Sequence, residues 1–100
     1  MIVFLYRWKI KSGKKQQFEE NWALVTKAIL NESGSYGSRL HVAEKDEYVG
    51  YAQWPDSQKR EKCELQDASV VARKLMREAI EYSYPDQKLD IISDFLVHPK

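Results

Sequence analysis

Apolar side chains fall on every second residue from Ile2 to Ile10 (Ile2, Phe4, Tyr6, Trp8, Ile10), the period of one face of a β-strand. The whole run Ile2 to Lys11 is rich in β-branched and aromatic residues, and Ser12-Gly13 closes it. From Lys14 the period lengthens. Phe18, Trp22, Val25 and Ile29 mark one face of an amphipathic helix reaching about Asn31, where Asn31-Glu32-Ser33-Gly34 stops it. Two more strand-like runs follow, Tyr36 to Ala43 and Glu47 to Trp54, joined by the polar turn Glu44-Lys45-Asp46 as a hairpin. Pro55-Asp56-Ser57 supplies a helix cap, so Ser57 to Leu65 reads as a short helix. Asp67 caps again. Ala68, Ala72, Leu75, Met76 and Ala79 give the buried face of a longer helix that ends near Tyr84-Pro85, and Lys88 to His98 is the last strand.

The order βαββαβ predicts a ferredoxin-like α+β fold: a four-stranded antiparallel sheet with both helices on one face, in a single domain spanning residues 1–100. The even-numbered set on the first strand goes to the helix side. That leaves Val3 and Leu5 on an open face, with part of the apolar set Ile91, Ile92, Phe95, Leu96 and Val97, and such a patch marks an interface. On the third strand Tyr48, Gly50, Ala52 and Trp54 share the helix-side face. The small pair Gly50 and Ala52, set between large aromatics, either opens a ligand cavity or lets a helix approach closely.

Composition narrows the function. Sixteen Lys and Arg against 15 Asp and Glu leave a net charge of +1, spread evenly over both halves, which supplies little of the phosphate attraction that nucleic-acid affinity needs. Val49-Gly50-Tyr51-Ala52-Gln53-Trp54 partly matches the aromatic strand of an RNA-recognition module, but the leading basic residue is missing, so no nucleic-acid partner is expected. The single Cys63 forms no internal disulfide, no Cys/His cluster has zinc-binding spacing, and no metal is expected. No run is long enough for a membrane span and no export signal opens the sequence, which points to a reducing cytoplasm.

Three segments carry a resemblance. Tyr6-Arg7-Trp8-Lys9-Ile10-Lys11-Ser12-Gly13-Lys14, Gly37-Ser38-Arg39-Leu40-His41 and Tyr51-Ala52-Gln53-Trp54-Pro55 together resemble the antibiotic biosynthesis monooxygenase family. The resemblance implies a dimeric α/β barrel, in which two ferredoxin-like subunits pack open face to open face and each keeps a cavity between its sheet and helices. It also implies oxygen insertion into small or polycyclic aromatic hydroxy compounds without metal, flavin or other cofactor. A non-catalytic dimer that binds a small ligand in the same cavity is the alternative. The haem-degrading branch of the superfamily carries an Asn at the first-strand centre and a His on the second helix. Here Tyr6 stands at the first position and no His lies between Ser69 and Tyr82, which argues against haem.

Candidate site residues follow from the faces and the resemblance. Trp54, at the strand end where the family places an aromatic, is the first candidate for the pocket wall, with Trp8, Trp22, Gly50 and Ala52; each is equally a core residue. Tyr6 has a hydroxyl suited to orienting a phenol or an oxygen adduct. His41 has the titration range of a base for a phenolic proton. Arg39, on the same face as His41, suits a developing negative charge, or else an interface salt bridge. His98, at a terminus, and Cys63 are given no catalytic role.

Overall fold

The computed structural model describes residues 1–44, 46–63 and 67–97, without the side chains of Asp67 and Ala68. Five strands and three helices lie within them: β1 (Ile2–Ile10), α1 (Lys15–Glu32), β2 (Gly37–Val42), β3 (Glu47–Trp54), α2 (Ser57–Glu61), α3 (Asp67–Glu78), β4 (Ile80–Ser83) and β5 (Gln87–Asp90). The sheet order is β2-β3-β1-β4 with β5 also on β1, and every pairing is antiparallel. This is the expected ferredoxin-like arrangement. None of these helices is long and apolar enough to cross a membrane.

The first half of the chain follows its local pattern closely. β3 has the predicted bounds, β1 and β2 end within a residue of them, and the hairpin forms, with Lys45 of its turn outside the described residues. Asp56 caps α2 as its position suggests, its carboxylate accepting from the Lys59 amide at 2.9 Å. α2 closes at Glu61; Leu65 and the proposed caps and contacts of the Asp67 and Ala68 side chains lie outside the described residues.

The last third differs. α3 stops at Glu78 instead of reaching Pro85, because Ile80, Tyr82 and Tyr84 are strand formers that find the free edge of β1 within reach. The edge strand is therefore in two pieces. β4 pairs with Trp8–Ile10 and β5 with Ile2–Leu5, while between them the Tyr84 amide still donates to the Arg7 carbonyl at 2.9 Å. Pro85 has no amide to offer and interrupts the ladder there. The predicted strand Lys88 to His98 is correspondingly cut short at Asp90, residues 91–97 are irregular, and His98 lies outside the described residues.

The register puts Phe4, Tyr6 and Trp8 opposite Ala52, Gly50 and Tyr48 on the helix side. Two separate clusters of buried residues result. One gathers Ile10, Phe18, Tyr48 and Ala79, with Trp8, Trp22 and Met76 packed on it; the other gathers Phe4, Ala52 and Trp54, with Tyr6, Ile29 and Cys63. On α3 Ala72 is buried and Met76 partly so, and Ala79 is buried just past its end, but Leu75 stays 36% exposed, so the predicted buried stripe is narrower than its sequence spacing. Tyr48 is buried and its hydroxyl donates to the Glu19 carboxylate of α1. Burial, then the neighbouring Glu19, pushes its pKa up to about 12.

Two outcomes test this packing. A Cβ on Gly50 would stand 2.8 Å from the Trp8 ring, so Gly50→Val is expected to cost about 1–3 kcal/mol, read as a lower urea midpoint at unchanged slope. An unchanged midpoint would mean that Trp8 yields freely. The folded state holds the Tyr48 proton more tightly than the unfolded chain, whose tyrosines titrate near ~10. Its stabilisation is therefore complete below that pH and disappears as pH rises through about 12. Thermal melts across that window are expected to fall less steeply for Tyr48→Phe than for the unaltered chain.

Candidate functional site

A cavity of about 440 Å³ opens where the two buried clusters fail to meet, within the size range of small-molecule sites. Its floor is the helix-side face of β1 and β3, where Gly50 and Ala52 provide no side-chain bulk, and α1 roofs it with Trp22, Val25 and Ile29. Trp8, Trp22 and Trp54, the chain's three tryptophans, all line it.

The aromatic side chains of β1 are ordered as a ladder. Tyr6 and Trp8 stack with ring centroids 5.7 Å apart and planes 6° from parallel, and Phe4 and Tyr6 lie 6.5 Å apart at 21°. Strand geometry sends residues two apart to the same face, and the ring stacking follows from it. Phe18 from α1 meets the edge of Trp8 at 5.3 Å and fixes that end.

A polar chain crosses one side of the cavity. Arg60 of α2 lies 3.9 Å over the Phe4 ring, its Nε donates to the Tyr6 hydroxyl at 2.9 Å, and its Nη2 bonds the Asp86 carboxylate at 3.0 Å. Each part depends on a different element. The Asp56 cap starts the short helix that presents Arg60, and the break at Pro85 between β4 and β5 places Asp86 at the cavity. Burial raises the Tyr6 pKa, an effect that the Arg60 hydrogen bond partly offsets. Tyr6 is thus a neutral phenol at ordinary pH. Its oxygen is occupied as an acceptor, so its own O–H is available to donate to a ligand oxygen.

The structure gathers six of the eight residues nominated from sequence around this cavity: Tyr6, Trp8, Trp22, Gly50, Ala52 and Trp54. His41 and Arg39 are not among its lining. They pair with Val49 and Tyr51, whose side chains share the open face, and both are exposed; a His41 ring nitrogen lies 3.3 Å from the Val49 carbonyl oxygen. The physical reason is period two: Ser38 and Leu40, opposite Ala52 and Gly50, take the helix-side positions of β2. Sequence reasoning missed Arg60 and Asp86, whose contacts with each other and with Tyr6 span 26 and 54 residues and leave no local signature. Among the described residues no group of three or more His, Cys, Asp or Glu is placed to hold a metal ion.

The other sheet face is divided. Arg7 and Lys9 form ion pairs with Glu47 (2.9 Å) and Glu81 (3.3 Å), and Arg7 also lies 4.1 Å over the Tyr84 ring, so this half is charged. Towards the start of β1, Val3, Tyr51 and Leu89 share an open apolar groove of about 520 Å³ with Ile92, Phe95 and Leu96.

Comparison with known proteins places this architecture. SnoaB, a cofactor-independent oxygenase of Streptomyces nogalater, matches with a TM-score of 0.78 at 19% identity, over 94% of this chain and 95% of its own. A Mycobacterium tuberculosis protein matches with a TM-score of 0.75 at 10% identity, over 95% and 98%. A candidate antibiotic biosynthesis monooxygenase of Caulobacter crescentus gives 0.77 at 16% identity, over 92% and 90%. At such identities the likeness carries the fold. No curated protein sequence matches the chain. The profile of one family matches residues 1–62, the stretch from β1 through α2 that supplies the cavity floor, the α1 roof and Arg60. The chain belongs to the antibiotic biosynthesis monooxygenase family.

Proposed function

We propose that this chain is a cofactor-free monooxygenase acting on a small or polycyclic aromatic hydroxy compound bound between the sheet and the helices. The observation that carries the reading is the cavity itself: three indoles around an opening made by Gly50 and Ala52, with a neutral Tyr6 hydroxyl held by Arg60 at its side. In such a site the substrate supplies the electrons. An ionised electron-rich phenol gives one electron to dioxygen, and the radical pair recombines with formation of a C–O bond. Where the ionised form arises by loss of a proton from a ring CH2, the new bond makes a peroxide at that carbon, and loss of its remaining hydrogen with cleavage of the O–O bond leaves a carbonyl. One oxygen atom stays on carbon and the other leaves as water with both hydrogens. The protein's part is to orient the ring against the tryptophans, donate from Tyr6 to the substrate oxygen, and keep water from the radical pair. Arg60 holds Tyr6 and places a fixed positive charge beside the phenolate.

His41 and Arg39 have no contact with a ligand in this position. A second reading, binding without turnover, is favoured by one observation: Asp86 is the sole carboxylate among the described lining residues, and Arg60 already engages it. The functional unit in either reading is a homodimer joined through the open face, supported by the groove beside Val3 and by Phe95, which is 90% exposed.

Oxygen uptake with a hydroxyanthrone separates the two readings. Tyr6→Phe and Trp54→Ala are each expected to slow turnover about tenfold, the loss of one hydrogen bond or one wall contact, while His41→Ala does not. Substrate-dependent uptake absent from the unaltered chain, with the hydroxyanthrone still bound, would leave the non-catalytic reading. For the assembly, light scattering is expected to give twice the chain mass. Phe95→Asp is expected to shift the chain towards monomer without lowering the unfolding midpoint of that monomer, because Phe95 is 90% exposed within its own subunit.

A further inference from the structure

Three arginines, Arg60, Arg73 and Arg77, and a single carboxylate, Asp86, line the cavity among the described residues. Arg60 is engaged by Tyr6 and Asp86. Arg73 and Arg77 are placed differently. They stand four residues apart on α3, which sets them one turn above the other on one helix face, and both are exposed. Among the described residues the ion pairs involve Arg7, Lys9, Lys15 and Arg60, and neither arginine of α3 meets a carboxylate. The cavity thus combines an indole-lined wall with an excess of positive charge on its α3 side.

We propose, building on the reading of this cavity as a site for aromatic hydroxy compounds, that Arg73 and Arg77 recognise a carboxylate carried by the ligand. The pair forms a polar anchor separate from Tyr6 and Arg60, so the ligand is held at a hydroxyl by Tyr6 of β1 and at a carboxylate by α3. Guanidinium groups stay charged at every accessible pH and present forked donors that match a carboxylate's two oxygens. A single negative charge fits better than the double charge of a phosphate. Arg77 lies in the last turn of α3, where the helix carbonyls already contribute negative potential, and among the described lining residues no glycine-rich loop or helix N-terminus supplies amides to a phosphate. Because both arginines reach solvent, the anchor selects among ligands more than it tightens binding, and it weakens with salt.

Calorimetric titration of 2-naphthol and of 6-hydroxy-2-naphthoate tests the assignment, since the two share ring and hydroxyl and differ by the carboxylate. Near neutral pH the naphthoate is expected to bind about tenfold more tightly, a difference of about 1.4 kcal/mol. Raising the salt from about 50 to about 500 mM is expected to remove most of that preference, and Arg73→Gln with Arg77→Gln to reduce it to about twofold or less. Equal affinities in the unaltered chain overturn the carboxylate anchor and leave the cavity reading standing. A preference that survives salt, or survives the double substitution, also overturns it. Binding of neither compound overturns both this anchor and the cavity reading on which it rests.

Discussion

The contact between Trp8 and the bare backbone of Gly50 is the constraint around which the helix side of this protein is arranged. The indole leans across a position where any side chain would collide with it, and so extends the Phe4–Tyr6 stack into a ladder lying on the sheet instead of standing away from it. Ordinarily the residue opposite a central aromatic would fill the space above the sheet. Here it does not, and the core separates into two clusters with room between them. The cavity is thus a property of the strand register, fixed by the pairing of Tyr6 with Gly50, and not of a mobile loop.

Besides the two arginines of α3, charge reaches this space by two local interruptions of regular structure. Pro85 breaks the edge strand, and the residue after it, Asp86, lines the cavity; Asp56 starts a helix of only five residues that brings Arg60 over Phe4 and Tyr6. A buried hydroxyl is costly unless bonded, and an arginine beside aromatic rings is favourable when its remaining donors are met. Phe4, Tyr6 and Asp86 together meet those needs. The same arrangement fixes the hydrogen bonding beside the phenol: burial keeps Tyr6 neutral, its oxygen accepts from Arg60, and Arg60 is shared with Asp86.

Most of the fold was legible because its signals are local. Ile2 to Ile10 and Glu47 to Trp54 alternate cleanly, and Phe18, Trp22, Val25 and Ile29 hold a helical period, so faces could be assigned before any pairing was known. The boundary of α3 was not legible, since Ala79 continues the helical pattern while the edge of β1, seven tenths of the chain away in sequence, decides where pairing begins. The candidate site divides in the same way. Residues on alternating strands reached the cavity as their parity demanded, while His41 and Arg39 were attractive for their chemistry and sit on the wrong parity of β2 to join them. Arg60 and Asp86 were unreadable because their roles arise only once α2 and the broken edge strand converge on Tyr6.

One consequence of the cavity lining is optical. All three tryptophans of the chain border the same opening, and no others exist elsewhere to dilute their signal. The ultraviolet emission of this protein is therefore almost entirely emission from its cavity wall. Trp8 packs on one buried cluster and Trp54 belongs to the other, so the same spectrum reports whether the two halves of the interior are in place and whether the space between them is filled.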